Sequence, residues 1–591
     1  MKVSDYVMKF IADLGIDKVF FVSGGGAMHL NNSLGENRHL QGVCMLHEQG
    51  AGIAAEAYAR VRDGYGACLV TSGPGATNAL TALAGAFIDS IPVIFISGQA
   101  KRADLRANSG VRQFGIQEVD IISMVSSYAK YAVQVIEPKD IRKELEKAAA
   151  IAVEGRPGPV WLDIPLDIQA SRVDPEYLLG YEEKYIPKQP YEEVVSEAIR
   201  QFNKAKRPVI MLGHGIRLSH SIDLARELYN LLGIPVLTSW NGVDLIEDDH
   251  PLFFGRPGSV GHRSANFIQQ KADYILTLGT RLCLLNTGYN FDGFLSNAYH
   301  VMVDIDAAEL NKKSVHPQLK IQCDVGEFIR KLLLRKDELK IGHHIEWLET
   351  CRKIESKYPK IISEQRPRDG YISNYDLIAE ISSQLQNDDI YQFTSSGTTV
   401  DIGMKMYCVK WGQRAFLNKG MAAMGYDIPA SIGSCLGSNR RRVICVTGDG
   451  SAAMNLQELE VIKRLNLPIK LFISDNSGYS MIYTSQYNNF NHNLTGCTKE
   501  SGLTLPDFKK VAAAFGIKVM CIENIDELQK TVKEALDYDG PVVCVVKTDI
   551  TQKILPRQAN YMKQDGQMAS YPIEDMAPLL ERDEYNSVMK M

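Results

Sequence analysis

The stretch 443–478 constrains this chain more than any other. It reads VICVTGDGS, then a helix-like run, then LFISDNSG, so one apolar strand ends in Gly448-Asp449-Gly450-Ser451 and a second in Asp475-Asn476. Two strand ends in one α/β unit lie side by side at the carboxyl edge of a parallel sheet, where ligands bind. Small residues there let backbone N–H groups approach a diphosphate at the start of the next helix. Asp449 offers a carboxylate, Asn476 an amide oxygen and Gly478 a backbone carbonyl. These donors, with phosphate oxygens and water, complete an octahedral Mg²⁺ site. Gly-Asp-Gly alone is a common turn; two strands and the asparagine make the pattern specific.

Elsewhere apolar runs alternate with amphipathic helical stretches, which predicts an α/β protein with parallel sheets covered by helices. A chain of 591 residues is too long for one core. Two breaks divide it: 172–192 carries Pro175, Pro187 and Pro190, and the charged stretch 335–370 carries Pro359 and Pro367 and reads as a linker helix plus a surface loop. The expected units are 1–171, 190–335 and 370–550, each a doubly wound, Rossmann-like domain, with a tail at 551–591. The outer two look related. Helix LEKAAAIAVEGR leads into Gly158-Pro159-Val160 and a strand, and helix LQKTVKEALDYD leads into Gly540-Pro541-Val542 and a strand.

Hydrophobic content of 45%, charged content of 23% and a net charge of −5 fit a globular protein and give no reason to expect nucleic-acid or membrane binding. Eleven scattered cysteines without a CxxC pair predict reduced thiols in a cytoplasm. Asp5 and Asp13 interrupt any amino-terminal apolar run, and Ser4 reads as a helix cap. No apolar stretch approaches the roughly 18 residues that span a bilayer.

Further motifs join the first. A short strand at 43–46 leads into His47-Glu48-Gln49; then come Thr71-Ser72-Gly73-Pro74-Gly75-Ala76-Thr77-Asn78 and Ser97-Gly98-Gln99. With the Gly-Asp-Gly unit, these resemble the thiamine diphosphate enzymes, in particular the acetolactate synthase-like branch, from about Ser4 to Asp549. The resemblance implies a pyrimidine-binding first domain and a diphosphate-binding third domain, with thiamine diphosphate and Mg²⁺ as cofactors. It implies that Glu48 is the carboxyl that activates the aminopyrimidine; the bland reading is a carboxylate at a helix start for dipole reasons, worth about 0.3–1 kcal/mol. In Lys419–Tyr426, the Ala422 carbonyl and Met424 are implied to hold the bent cofactor. Ser395, Ser396, Gly397, Thr398, Thr399 and Ser451 would add donors to the diphosphate held at Gly448, Asp449 and Gly450. Gly73, Asn78, Tyr479 and Met481 would adjoin the cofactor, and Gln99 the reacting carbons. Metal ligands would be Asp449, Asn476 and Gly478. In the middle segment Gly213, Gly215, Gly279, Arg281, Asp304 and Asp306 fall at strand ends, as in relatives that hold FAD; solvent-facing strand ends explain Asp304 and Asp306 equally. Glu48 and Asp449 come from different domains, which in this family meet across two subunits, so a homodimer is the minimum expected and a homotetramer fits.

The chain departs from acetolactate synthases at two acceptor determinants. The family's Arg-Phe-Asp-Asp-Arg-Val-Thr-Gly reads Arg281-Leu282-Cys283-Leu284-Leu285-Asn286-Thr287-Gly288 here, so an arginine aligns with Leu285. A pocket tryptophan aligns with Ser485. Loss of a bidentate carboxylate contact is not conservative. The polar loop Ser23–Asn31 places His29 and Asn31 where they fit a hydroxyl-rich acceptor, although a structural histidine is the simpler reading of His29. The Gly255-Arg256-Pro257-Gly258-Ser259-Val260-Gly261 segment and the tail resemble relatives of surface-polysaccharide functions. The tail fits a cover over the active site or an exposed segment. The expected reaction is decarboxylation of a 2-oxo acid, pyruvate foremost, with transfer to a carbonyl acceptor, a keto-sugar or nucleotide-sugar. Alternatives are acetolactate synthesis proper, a carbon–carbon lyase on a phosphorylated or sulfonated substrate, and a catalytically silent scaffold.

Overall fold

The computed structural model describes residues 1–106, 109–182 and 189–591. Pro187, part of the first predicted break, lies outside the described residues.

Three parallel sheets carry the chain. The first holds β1 (Lys18–Phe21), β2 (Gln41–Cys44), β3 (Gly66–Val70), β4 (Val93–Gln99), β5 (Tyr131–Gln134) and β6 (Val160–Pro165) in the order β2-β1-β3-β4-β6-β5. The second holds β7 (Pro208–Leu212), β8 (Val236–Thr238), β9 (Tyr274–Leu278), β10 (Tyr299–Asp304) and β11 (Leu319–Gln322) in the order β11-β10-β9-β7-β8. The third holds β12 (Ile390–Phe393), β13 (Arg414–Phe416), β14 (Val443–Gly448), β15 (Ile469–Asp475), β16 (Lys518–Ile522) and β17 (Val542–Lys547) in the order β13-β12-β14-β15-β17-β16. The central strands β3, β4, β6 and β9 are buried along their whole length, which is why they read as continuous apolar runs and not as alternating ones.

The first and third sheets share one core. Helix Glu48–Arg62 follows β2 and helix Asp427–Gly437 follows β13, and they pack face to face through small residues: a Cβ at Gly433 would run into the Ala54 carbonyl. The other face of the third sheet packs on helices Asn374–Gln384 and Thr398–Met406 and on Trp240 and Val243 of the middle segment. Helix Ile345–Lys357 occupies the second predicted break.

Two expectations change. The first helix, Val3–Asp13, is preceded by Lys2 at the cap position, and Ser4 lies inside it, buried, accepting from Ser33 Oγ at 2.8 Å. The buried hydroxyl partner outweighs the capping role. The tail lies on the middle segment: Arg263 donates to the Pro578 carbonyl at 2.7 Å, Lys271 to the Met589 carbonyl at 2.8 Å, and Val588 of helix Arg582–Lys590 joins the core around Phe267 and Trp347. Among the described residues no helix is long and apolar enough to cross a membrane.

Candidate active site

The carboxyl edge of the third sheet opens into a cavity. β12 runs into Gly397, whose φ of +93° starts helix Thr398–Met406, and β14 runs into Asp449–Ala452, a single helical turn. Ser396–Thr399, Met424, Gly448–Ser451, Asn476 and Gly478–Met481 line the space between them. Asp449 is buried, and burial together with the neighbouring Asp475 pushes its carboxyl well above the ordinary range. Its Oδ1 accepts from Gly450 N at 2.7 Å, and its Oδ2 from Asn476 N at 3.0 Å and Gly478 N at 3.2 Å. The carboxylate therefore ties the ends of β14 and β15 together. Asn476 Oδ1 and Thr399 Oγ1 are buried without a hydrogen-bond partner among the described residues. A buried polar atom left unmet costs about 1–3 kcal/mol. Two such atoms beside a carboxylate form an oxygen donor set that fits a hard divalent cation and a diphosphate.

The wall is shaped for close approach. A Cβ at Gly450 would collide with the Tyr479 ring, and one at Gly478 with the Cys497 carbonyl, so larger residues would close the cavity or displace the loop. Ala422 sits at φ +55°, a costly conformation for a residue with a side chain, and such outliers persist where the surroundings fix them. Ser395 behaves differently from its neighbours. It is fully buried and its hydroxyl donates to the Ala423 carbonyl, tying the 395–399 loop to the 419–426 loop instead of facing the cavity.

The remaining candidates gather at the first sheet. His47 caps helix Glu48–Arg62, its Nδ1 accepting from Gln49 N at 3.1 Å, and Glu48 occupies the first turn, half-buried. Asn78 donates to Glu48 Oε2 at 2.9 Å. Gly73, with φ +60°, starts the short helix that carries Asn78. Gln99 is buried and spent: Nε2 donates to the Val119 carbonyl at 2.9 Å and to Asp163 at 3.1 Å, and Oε1 accepts from Ala100 N. His29 is half-buried and makes no hydrogen bond among the described residues; Asn31 donates to the Gly24 carbonyl at 3.4 Å, with Oδ1 buried and unmet. None of these first-sheet residues lines the Asp449 cavity, so within one chain they form a separate cluster.

Two residues central to this arrangement escaped the sequence reading. Glu458 is buried, and burial raises its carboxyl to about 7. It accepts from Leu46 N and from His47 N at 3.0 Å, holding the turn that presents Glu48. Asp427, the first residue of its helix, is fully buried and accepts from Thr394 Oγ1 at 2.5 Å and from Thr447 Oγ1. The only sequence signal for it was a lone charge heading the apolar run Ile428–Gly437.

A second, larger cavity lies at the carboxyl edge of the middle sheet, against Asp89, Arg156 and the 419–420 loop. It is lined by His214, Trp240 and Asn286, each with a buried polar atom unmet among the described residues, and by Asp304, whose carboxyl burial raises to about 6. Asp306 is not part of it: it caps the next helix through Ala308 N and pairs with Arg156 at 2.9 Å. The unmet donors and acceptors fit a polar, nucleotide-like group. Leu285 lines the same cavity, while Ser485 is exposed on helix Ser480–Asn489.

Three family models match the chain: the thiamine pyrophosphate enzyme N-terminal TPP binding domain at 1–124, the central domain at 195–332 and the C-terminal TPP binding domain at 396–546. Among curated proteins the chain is 29% identical to the acetolactate synthase isozyme 1 large subunit of Escherichia coli (strain K12) over 94% of its length and 95% of that protein. It is 31% identical to the acetolactate synthase large subunit of Porphyra purpurea, over 90% of this chain and 89% of the relative. It is 30% identical to the chloroplastic acetolactate synthase 2 of Nicotiana tabacum, over 94% and 83%.

Proposed function

The chain belongs to the thiamine pyrophosphate enzyme family and is an acetolactate synthase-like enzyme, and on that premise we propose that it decarboxylates a 2-oxo acid, pyruvate foremost, and joins the remaining unit to a carbonyl acceptor. The cavity around Asp449 and Asn476 carries this reading. When bound, thiamine diphosphate supplies an acidic thiazolium carbon and an electron sink for decarboxylation. The chain's own residues do the rest. Asp449, Asn476 Oδ1 and the Gly478 carbonyl would hold Mg²⁺, and the first turn of helix Thr398–Met406 would hold the diphosphate. Glu48 would hold and exchange the proton at its carboxyl facing the pyrimidine, and Asn78, donating to Oε2, orients that carboxyl. Because the Glu48 cluster and the Asp449 cavity of one chain do not meet, Glu48 of one subunit serves the cavity of another: the working unit is a homodimer, or a tetramer of two such pairs.

For the acceptor we favour a sugar carbonyl, nucleotide-linked in a surface-polysaccharide pathway. Leu285 offers no cation to a second 2-oxo acid's carboxylate, and His29 and the unmet Asn31 amide oxygen, in the first domain, are the polar groups we set against it. Acetolactate synthesis is the second reading, favoured by the names of the full-length relatives. We assign FAD to the middle cavity on the unmet His214, Trp240 and Asn286.

The test is CO₂ release from pyruvate with thiamine diphosphate and Mg²⁺, with Glu48→Gln alongside. Loss of release on the order of 100-fold in the variant, with cofactor binding retained, supports the assignment. Equal rates sink Glu48 as the activating carboxyl, and no release from the parent moves the donor search to other 2-oxo acids. Product formation with a keto-sugar but not with a second 2-oxo acid decides the acceptor.

A further inference from the structure

The Gly255–Gly261 segment is unused by the reading above, yet it holds a fully buried arginine. Arg256 pairs with Asp248, and its Nη1 donates to the Met404 carbonyl at 3.4 Å and the Tyr407 carbonyl at 3.2 Å. His262 follows. Its Nδ1 accepts from Arg256 N at 3.2 Å, so its Nε2 carries the proton that bonds the Lys405 carbonyl at 3.0 Å. Burial holds this imidazole neutral, in keeping with one donating and one accepting nitrogen. Met404, Lys405 and Tyr407 are the last turn and the cap of helix Thr398–Met406. Carbonyls at a helix end have no partner within the helix and concentrate negative potential, which a cation there stabilises. Lys405 closes the knot from the other side, donating to the Gly261 carbonyl at 2.9 Å and to the tail's Pro556 carbonyl at 2.6 Å. The opposite end of this helix is the turn that faces the Asp449 cavity with an unmet Thr399 hydroxyl. Midway, Asp401 pairs with Lys419 of the 419–426 loop at 2.9 Å.

We propose that Arg256 and His262 of the middle segment are positioning residues for the cofactor: they anchor the far end of helix Thr398–Met406 and so fix where its first turn meets the diphosphate. This rests on the thiamine diphosphate reading. The middle segment then contributes to cofactor affinity without touching the cofactor, and the glycine-rich loop exists to bring its arginine beneath the helix.

The experiment is calorimetric titration of the full chain with thiamine diphosphate at saturating Mg²⁺, beside turnover at saturating cofactor. Removing Arg256 alone would leave the buried Asp248 with only the Val409 N–H and the more distant Lys360 at 3.4 Å, so the first variant is Arg256→Gln with Asp248→Asn. Its Kd should rise about tenfold while kcat at saturation stays within about twofold. Arg256→Lys keeps a cation but cannot span the carboxylate and both carbonyls; its Kd should rise about threefold, and it covers the case in which the double variant fails to fold. The control is Arg226→Gln, which breaks the pair with Glu247 inside the middle segment and the stacking on Trp411 across the same two segments, without touching the helix end; its Kd should match the parent's. Variants that bind like the parent, or a control that weakens binding as much as they do, overturn the inference alone. A parent that binds no thiamine diphosphate overturns the underlying reading together with it.

Discussion

The first and third sheets are the same construction put to different use. Their strand orders superimpose, β2-β1-β3-β4-β6-β5 on β13-β12-β14-β15-β17-β16. Each ends in a helix, a Gly-Pro-Val step and a strand. In each, a lysine that burial holds down to about 8 braces that corner: Lys130 donates to the Glu154 carbonyl, and Lys470 to those of Tyr538 and Gly540. Each edge strand leads into a helix that starts with a carboxylate, Glu48 after β2 and Asp427 after β13. There the likeness stops. Glu48 is half-buried with one side-chain amide on it, whereas Asp427 is locked beneath two threonines. The carboxyl edges invert that pattern. In the first sheet Asp163 is sealed by Ser97 Oγ at 2.6 Å, Gln134 Nε2 at 2.8 Å and Gln99 Nε2 at 3.1 Å. In the third, Asp449 and the unmet Asn476 face a cavity. Topology supplies a carboxyl edge to both sheets; the aspartate at the first is sealed by three side-chain donors, whereas the one at the third faces a cavity.

The contrast breaks most sharply at Asp449. Asp449→Ala should weaken Mg²⁺-dependent thiamine diphosphate binding on the order of 100-fold, since it removes the proposed metal ligand and the tie between β14 and β15 together. Asp163→Asn, its sealed counterpart, should leave that Kd unchanged in the same calorimetric titration. Equal losses would mean that the two edges are functionally alike.

Asp427→Asn tests the other half of the comparison with a smaller effect. The amide can accept from one threonine but not from both. The displaced hydroxyl then falls back on a carbonyl already beside it: Gly448 for Thr447 Oγ1 at 3.3 Å, or Ser396 for Thr394 Oγ1 at 3.4 Å. Those fallbacks keep the loss partial, about threefold to tenfold in thiamine diphosphate Kd, with a lowered Tm. An unchanged Kd beside a lowered Tm would make Asp427 a core residue with no bearing on the cofactor loops.

What was legible in the sequence follows from how local each signal is. The Gly-Asp-Gly turn, the asparagine one strand later and the two Gly-Pro-Val corners are written in short runs, and strand burial writes itself as unbroken apolar stretches. Partners far apart in the chain leave no such trace. Glu458 meets Leu46 and His47 across more than half of the chain, and Asp427 meets Thr394 and Thr447 only once three strand ends converge. Ser4 shows the converse failure: a serine before an apolar run reads as a cap, yet Ser33 claims it from another helix. Arg256 carried a motif without a reason, because its carbonyl partners belong to a different segment.

The smallest predicted effect is the most specific to the sealed edge. Burial raises the Asp163 carboxyl to about 6, against about 3.9 for an unperturbed aspartate. Between those values the folded protein keeps a proton that the unfolded chain has released, so this group's contribution to stability falls as pH rises through the window and levels off above about 6. Carboxyls held low by partners, such as Asp244 between Arg217 and Arg414, work in the opposite direction at lower pH, so the total profile conceals the effect. The variant isolates it. Asp163→Asn mimics the protonated side chain and cannot ionise, so the stability of the variant relative to the parent should climb between about pH 4 and pH 6, by at most about 3 kcal/mol. Urea unfolding of both proteins across that range measures the difference directly. A difference independent of pH would show that Asp163 ionises in the fold as readily as in the unfolded chain, and the sealed character of the first sheet's edge would have to be abandoned.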